Sequence, residues 1–376
     1  MIAASYDRTS SSIAEIPSAL NIRFIEKPEK KVLDDLLYFN GFSFRITGKY
    51  HQEKNFNRLP AKYEKIVRPA VWGLSKNSSG ISIHFTTNSP VIAAKWKLMS
   101  YPRMSNMTPI AASGLDLYCL VDGQWQYVNS GIPSGLNNEK TLISDMDTCY
   151  KEFLLNLPLY DGVENIEIGI NPNFSISAPE NIIYKINKPI VFYGTSITQG
   201  ASASRPGMVY TSIISRKLSV ETINLGFSGN GRFESSVGQA LCEIDASLFV
   251  IDCTANSHPD TIKNNTVKLL QQIRECKPNT PILLVESIIR EYSYFKKSDE
   301  STFGSRKYIL AQNNELKKSF NEAKNIGIDN LYYLESDGLI GYDHEGTIDG
   351  THLTDLGSYR MAEKMETKII EILKLK

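Results

Sequence analysis

Up to about residue 185, hydrophobic and polar positions alternate with a period of two. Ile81, Ile83 and Phe85 take every second place, as do Ile92, Ala94, Trp96 and Leu98 around Lys95 and Lys97, and later Ile166, Ile168 and Ile170. Successive side chains of a strand point to opposite faces, so this rhythm predicts strands that bury one face. Asp122-Gly123 separates Leu117 to Val121 from the alternating Trp125 and Tyr127. That dipeptide predicts a tight hairpin, because glycine accepts the positive φ such a turn requires. Recurring turn signals and few helical stretches predict an antiparallel, jelly-roll-like β-sandwich.

From Pro189 the pattern changes. Short unbroken apolar runs, Ile190 to Tyr193, Leu248 to Ile251, Ile282 to Val285 and Leu331 to Leu334, suit parallel strands buried on both faces. Between them the apolar spacing is helical: Ile262, Leu269, Leu270 and Ile273 share a face, as do Ile309, Leu316, Phe320 and Ala323, and Met361, Met365, Ile369 and Ile372. Alternating strands and helices predict a doubly wound, flavodoxin-like α/β domain, in which ligands bind beyond the carboxyl ends of the strands. The expected organisation is an N-terminal tail over residues 1–20, open to disorder, a β-sandwich over 21–186 and an α/β domain over 187–376. The join is marked by Ala178-Pro179 and Lys188-Pro189 alone.

Composition narrows the partners. The 376 residues are 41% hydrophobic and 22% charged, and 41 Lys plus Arg balance 41 Asp plus Glu, so no basic excess is available for nucleic acid or an anionic membrane. No apolar run approaches a membrane span, and the opening residues lack a signal-peptide pattern. The compartment stays open: periplasmic or secreted if an export signal has been removed, otherwise cytoplasmic. Cys119, Cys149, Cys242, Cys253 and Cys276 are odd in number and widely spaced, and are expected to be small buried hydrophobes. Neither they nor the five histidines form a metal-ligand spacing, so no metal or cofactor is expected. The sequence does not specify an oligomeric state.

Four stretches hold candidate chemistry, each with a plainer alternative. Gly194-Thr195-Ser196 follows the first α/β strand, where a sharp turn would present the Ser196 hydroxyl near free backbone N–H groups. Such a hydroxyl often just caps backbone amides of the turn, and from this stretch alone that is the commoner role. The loop Gly226-Phe227-Ser228-Gly229-Asn230-Gly231 could aim the Gly229 N–H at an oxyanion or be an ordinary turn, and no Lys-Ser or Lys-Thr follows to make it a phosphate loop. Asn256, after Leu248 to Ile251, could donate its amide to the same oxyanion, or Asn256 or Ser257 could cap the helix that Pro259 begins. Asp349 and His352 flank Gly350 closely enough for the carboxylate to orient the imidazole, while Thr354 suits the N-cap of the last helix.

In this order, the four stretches resemble the SGNH (GDSL-like) hydrolase superfamily of serine esterases. The resemblance implies Ser196 as nucleophile, Asp349 and His352 completing a triad, and Ser196 N–H, Gly229 N–H and Asn256 as oxyanion donors. Two blocks depart from the pattern: Gly-Thr-Ser stands for Gly-Asp-Ser, and Thr-Ala-Asn-Ser for Gly-x-Asn-Asp. Neither loses a catalytic group. Gly114-Leu115-Asp116-Leu117-Tyr118, with Arg58-Leu59-Pro60 and Val71-Trp72, is similar to a bacterial branch whose sandwich carries a Gly-x-Asp-Leu-Tyr motif, which extends the resemblance over nearly the whole chain. That branch implies hydrolysis of small acyl esters, often acetyl, on carbohydrate, with no cofactor. A lipid or acetyl-phospholipid esterase and an inactive carbohydrate-binding protein are the alternatives. His258 is a rival base without a carboxylate at short spacing, Trp72, Tyr118 and Trp125 are candidates for stacking on sugars, and the Gly114 to Tyr118 motif is expected to be structural or to lie at a domain interface.

Overall fold

A computed structural model of the chain describes residues 36–375 except Ile183, Ser298 and Glu300. The tail expected over residues 1–20 lies outside the described residues. The alternating stretches form strands β1 (Leu37–Asn40), β2 (Arg45–Thr47), β3 (Ser82–Thr87), β4 (Ile92–Leu98), β5 (Leu115–Val121), β6 (Gln124–Gly131), β7 (Asn137–Ile143), β8 (Lys151–Asn156), β9 (Val163–Ile170) and β10 (Ile176–Ser177). Two antiparallel sheets result, one in the order β1-β9-β4-β7 and the other β10-β3-β8-β5-β6 with β2 beside β3. Ile83, Phe85, Leu117 and Phe153 of the second sheet and Ala94, Trp96, Ile166 and Ile168 of the first bury into one shared core. The hairpin at Asp122-Gly123 has φ of 49° and 76°, with Val121 and Gln124 paired across it, as its turn residues predict.

One expectation needs correction: the strands of the second sheet do not bury a single face. The polar positions Ser82, His84, Asp116 and Asn156 are also buried, because the α/β half covers them. Three of them are satisfied internally: Ser82 Oγ donates to Asn156 Oδ1 at 2.7 Å, and Asn156 Nδ2 donates to Asp116 Oδ1 at 2.7 Å.

The continuous apolar runs become strands β11 (Ile190–Gly194), β13 (Leu248–Asp252), β14 (Ile282–Val285) and β15 (Leu331–Leu334), joined by β12 (Thr222–Gly226) in a fully parallel sheet of order β12-β11-β13-β14-β15. Val191 and Tyr193 face one core, Ile190 and Phe192 the other, which is why no polar alternation marks this strand. Among the described residues, eight α-helices accompany the strands: α1 (Pro69–Ser75), α2 (Pro109–Ser113), α3 (Ser196–Gln199), α4 (Tyr210–Leu218), α5 (Ser235–Glu243), α6 (Pro259–Cys276), α7 (Arg306–Asn325) and α8 (Asp355–Leu373). The three predicted apolar faces are turned inward on α6, α7 and α8, with Phe320 partly buried. Among the described residues, no helix is long and apolar enough to cross a membrane.

The cysteines also depart from expectation. Cys119 and Cys253 are buried thiols, but Cys149 is exposed, and Cys242 and Cys276 form a disulfide. These two lie 34 residues apart, and only the packing of α5 against the end of α6 brings their Cα atoms to 5.6 Å. Spacing along the chain carries no trace of that approach.

The sandwich is clamped to the parallel sheet by Arg58, which is almost wholly buried. Its guanidinium donates to the carbonyls of Asn77 (2.9 Å), Leu74 (2.6 Å), Asn224 (3.3 Å) and Gly226, and stacks 5.0 Å from the Phe227 ring. Burial lowers its pKa to about 9, still above neutrality. Arg58→Met should strand several buried carbonyls and cost about 3 kcal/mol or more of stability. Urea unfolding of the variant beside the wild type measures this.

Candidate active site

β11 ends at Gly194, level with Gly226 of β12 and Asp252 of β13. The loops holding Ser196, Gly229 and Asn256 therefore leave the sheet side by side at its carboxyl edge. Gly194 is sterically required: a Cβ there would lie 2.0 Å from Thr198 Oγ1 and 2.8 Å from the Asp252 carbonyl. The turn it permits starts the four-residue helix α3 at Ser196, capped by the Thr195 hydroxyl accepting from Ile197 N–H and closed by Gly200 in the left-handed region. The capping role open to Ser196 thus belongs to Thr195.

Ser196 is 6% exposed, and its Oγ lies 3.0 Å from His352 Nε2. His352 Nδ1 lies 2.7 Å from Asp349 Oδ2, while Asp349 Oδ1 accepts from the backbone N–H groups of Thr351 (3.0 Å) and His352 (2.8 Å). The carboxylate partner places the imidazole proton on Nδ1, which leaves Nε2 an acceptor toward the serine hydroxyl. The loop is closed by Ile348 N–H donating to the His352 carbonyl at 2.8 Å, and α8 begins just beyond, capped by Thr354 as expected. Partial burial acts to raise the Asp349 pKa, but the hydrogen bonds from the His352 ring, its backbone and Asn106 outweigh it and hold the group at about 2.

Among the described residues, nothing accepts from Ser196 N–H, Gly229 N–H or the Asn256 amide. Ser196 owes this to its place at the first turn of a helix. Gly229 has φ of 69°, and its loop is tied to α3 by Ser228 N–H donating to Gln199 Oε1 at 2.9 Å. The Asn256 turn is held by buried Arg290, whose Nη2 donates to the Ala255 carbonyl at 2.7 Å. The helix after it is capped by His258, not by Asn256 or Ser257. His258 does have a nearby carboxylate, Asp260 at 3.4 Å, contrary to its sequence reading, but its Nδ1 accepts from Asp260 N–H and no contact links it to Ser196.

Asn106 is the residue that sequence reasoning missed. It comes from the sandwich half, and its Nδ2 donates to Asp349 Oδ2 at 3.1 Å, 3.4 Å from His352 Nδ1. The loop is anchored where Thr108 Oγ1 donates to the Ser204 carbonyl at 2.5 Å, while Ser204 Oγ donates to Asp355 Oδ2 at 2.5 Å. A single Asn before a helix cap carries no signal of its own. The Gly114 to Tyr118 motif serves the same junction: Asp116 Oδ2 accepts from Arg205 Nη1 at 2.9 Å and Gly207 N–H at 2.8 Å, and Tyr118 accepts from Arg205. Of the sugar-stacking candidates, Tyr118 is buried in that junction, and Trp72 and Trp125 are partly buried.

Beneath α3 lies Asp252, fully buried, accepting from Thr198 Oγ1 at 2.9 Å and Tyr210 Oη at 3.1 Å. Burial raises its pKa to about 7 despite these bonds. Between about pH 4 and 7 the folded chain then holds a proton that the unfolded chain has released, so stability should fall as pH rises through that window and level off above it. Asp252→Asn should flatten this decline. Chemical denaturation at pH 4.5, 6 and 8 measures the difference.

Both halves of the chain are similar to known proteins. Residues 187–370 match the model of the GDSL-like Lipase/Acylhydrolase family, and residues 36–176 match the model of the N-terminus of Esterase_SGNH_hydro-type. A solved structure named as a GDSL-like lipase from Bacteroides ovatus ATCC 8483 is 40% identical, with a TM-score of 0.86, covering 91% of this chain and 99% of that one. A salicylyl-acyltransferase from a tetracycline biosynthetic pathway shares the fold at 17% identity and a TM-score of 0.73, over 91% and 99% of the two chains. An acetyl xylan esterase from the rumen bacterium Butyrivibrio proteoclasticus does so at 11% and 0.56, over 90% and 99%. No curated protein matches.

Proposed function

Since the chain belongs to the GDSL-like lipase/acylhydrolase family, we propose that it is a serine esterase acting through Ser196, His352 and Asp349 on small acyl esters, acetyl above all, carried by a carbohydrate. The observation that carries the reading is the unbroken relay from Asp349 Oδ2 through His352 to Ser196 Oγ, at 2.7 and 3.0 Å.

In the first step His352 Nε2 takes the Ser196 proton as Oγ attacks the acyl carbonyl carbon. The carbonyl oxygen becomes an oxyanion, to which Ser196 N–H, Gly229 N–H and Asn256 Nδ2 donate. His352 passes its proton to the departing sugar oxygen, the C–O bond breaks, and the acyl group remains on Ser196. Water then repeats the attack with His352 as base, releasing the acid and restoring the hydroxyl. Asp349, ionised throughout the neutral range, holds the imidazole tautomer and stabilises its cationic form, with Asn106 fixing the carboxylate.

Small acyl groups are favoured because Ser196 is nearly buried, with the Tyr160 hydroxyl 3.4 Å from its carbonyl. A two-part fold shared with an acetyl xylan esterase supports the saccharide as leaving group.

With p-nitrophenyl acetate, Ser196→Ala should abolish turnover, and Asn256→Ala should lower kcat by about a hundredfold. Asn106→Ala removes one hydrogen bond to a charged group and should cost about tenfold. Acetylated xylan should release acetate faster than long-acyl p-nitrophenyl esters are cleaved; wild-type turnover by Ser196→Ala contradicts the proposal.

A further inference from the structure

A cleft of 710 Å³ opens between the β5–β6 hairpin and helices α4 and α8, and none of Ser196, Asp349 and His352 lines it. Its rim is aromatic: Trp125 and Tyr127 come from the hairpin and Tyr359 from α8. Its lining includes Lys185, Arg205, Arg216 and Lys217 and no acidic residue. In a chain whose charges cancel overall, every charged side chain lining this concavity is basic.

The four cations are not equivalent. Arg205 is bound to Asp116, and Lys217 to Glu366 at 2.7 Å. Arg216 has no carboxylate within ion-pair distance among the described residues. Its Nη2 donates to the Gly207 carbonyl at 2.6 Å, its Nη1 is buried without a partner, and its guanidinium stacks 4.2 Å from the Tyr118 ring. Arg216 and Trp125 also form the wall between this cleft and a small inner cavity of 30 Å³, where the Nδ1 of His84, 3% exposed, is likewise without a hydrogen bond. A buried guanidinium with an unused donor is costly unless an anion or water completes it.

We infer that this cleft is a second binding site, distinct from Ser196, for a sugar ring bearing a carboxylate, as in the uronic acid units of an acidic glycan. Each part of that ligand has a counterpart. The carboxylate meets the planar guanidinium of Arg216, whose donors suit it. The ring lies against Trp125, a partly buried aromatic of the cleft lining. The volume suits one or two pyranose units, and the lining offers no carboxylate to repel them.

Because binding does not require turnover, the site is testable in the Ser196→Ala protein, whatever the outcome of the esterase assay. Isothermal titration with digalacturonate is the measurement, with digalactose as the neutral counterpart. The expected result is saturable binding of digalacturonate by wild type and Ser196→Ala alike, weakened by salt, and at least tenfold weaker for digalactose. Arg216→Lys keeps the charge but loses the planar fork, and Trp125→Ala removes the partly exposed ring without touching Arg216. Each should weaken binding at least tenfold while circular dichroism shows an intact fold. No saturable binding by wild type, equal binding of the neutral disaccharide, or undiminished binding in Trp125→Ala and Arg216→Lys overturns the inference.

Discussion

A carboxylate removed from water must have its hydration replaced by hydrogen bonds, and Asp116 is wholly buried where the sandwich meets the α/β half. Asn156 donates to it from the sandwich side, Arg205 and the Gly207 N–H from the other. Neither half can shift without stranding this charge. The segment that Asp116 grips follows α3 directly, and within it Ser204 binds Asp355 at the start of α8, three residues beyond His352. One buried carboxylate thus fixes the spacing between the two chain segments that must meet as Ser196 and His352. It also holds the sandwich close enough for Asn106 to reach Asp349.

The parallel sheet supplies the second constraint. Because Gly194, Gly226 and Asp252 end their strands in register, the three following loops share one edge, and they carry three N–H donors, of Ser196, Gly229 and Asn256, that have no acceptor among the described residues. Groups set in place before reaction need no rearrangement as negative charge develops on the substrate, which is the main source of catalytic power proposed for such a site. Asp252 and Arg290 stand behind this edge rather than in it, one under α3 and the other behind the Asn256 turn.

Much of this was legible in the sequence because it follows from periodicity and order. Period-two alternation separated the sandwich from the sheet, whose strands carry unbroken apolar runs, and Asp122-Gly123 marked its hairpin. Ser196, Asp349 and His352 were indicated by the resemblance of four ordered stretches to the SGNH hydrolase superfamily, and in the structure His352 lies within hydrogen-bonding distance of both Ser196 and Asp349. What was not legible depends on contacts between distant segments. Ser82 and His84 occupy polar places in an alternating strand, and only the α/β half lying over them makes those places interior. Cys242 and Cys276 required the packing of two helices. Asn106 belongs to no motif, and reaches Asp349 across 243 residues of sequence.

The proposed reaction requires Ser196 to be a nucleophile activated by His352 and Asp349. A fluorophosphonate reacts with such a serine because the activated oxygen attacks phosphorus and displaces fluoride. Mass spectrometry of the folded protein after treatment should find one phosphonyl adduct, on the peptide containing Ser196, and none in His352→Ala over the same interval. A wild-type protein left unmodified at Ser196, or modified equally well without His352, contradicts the account.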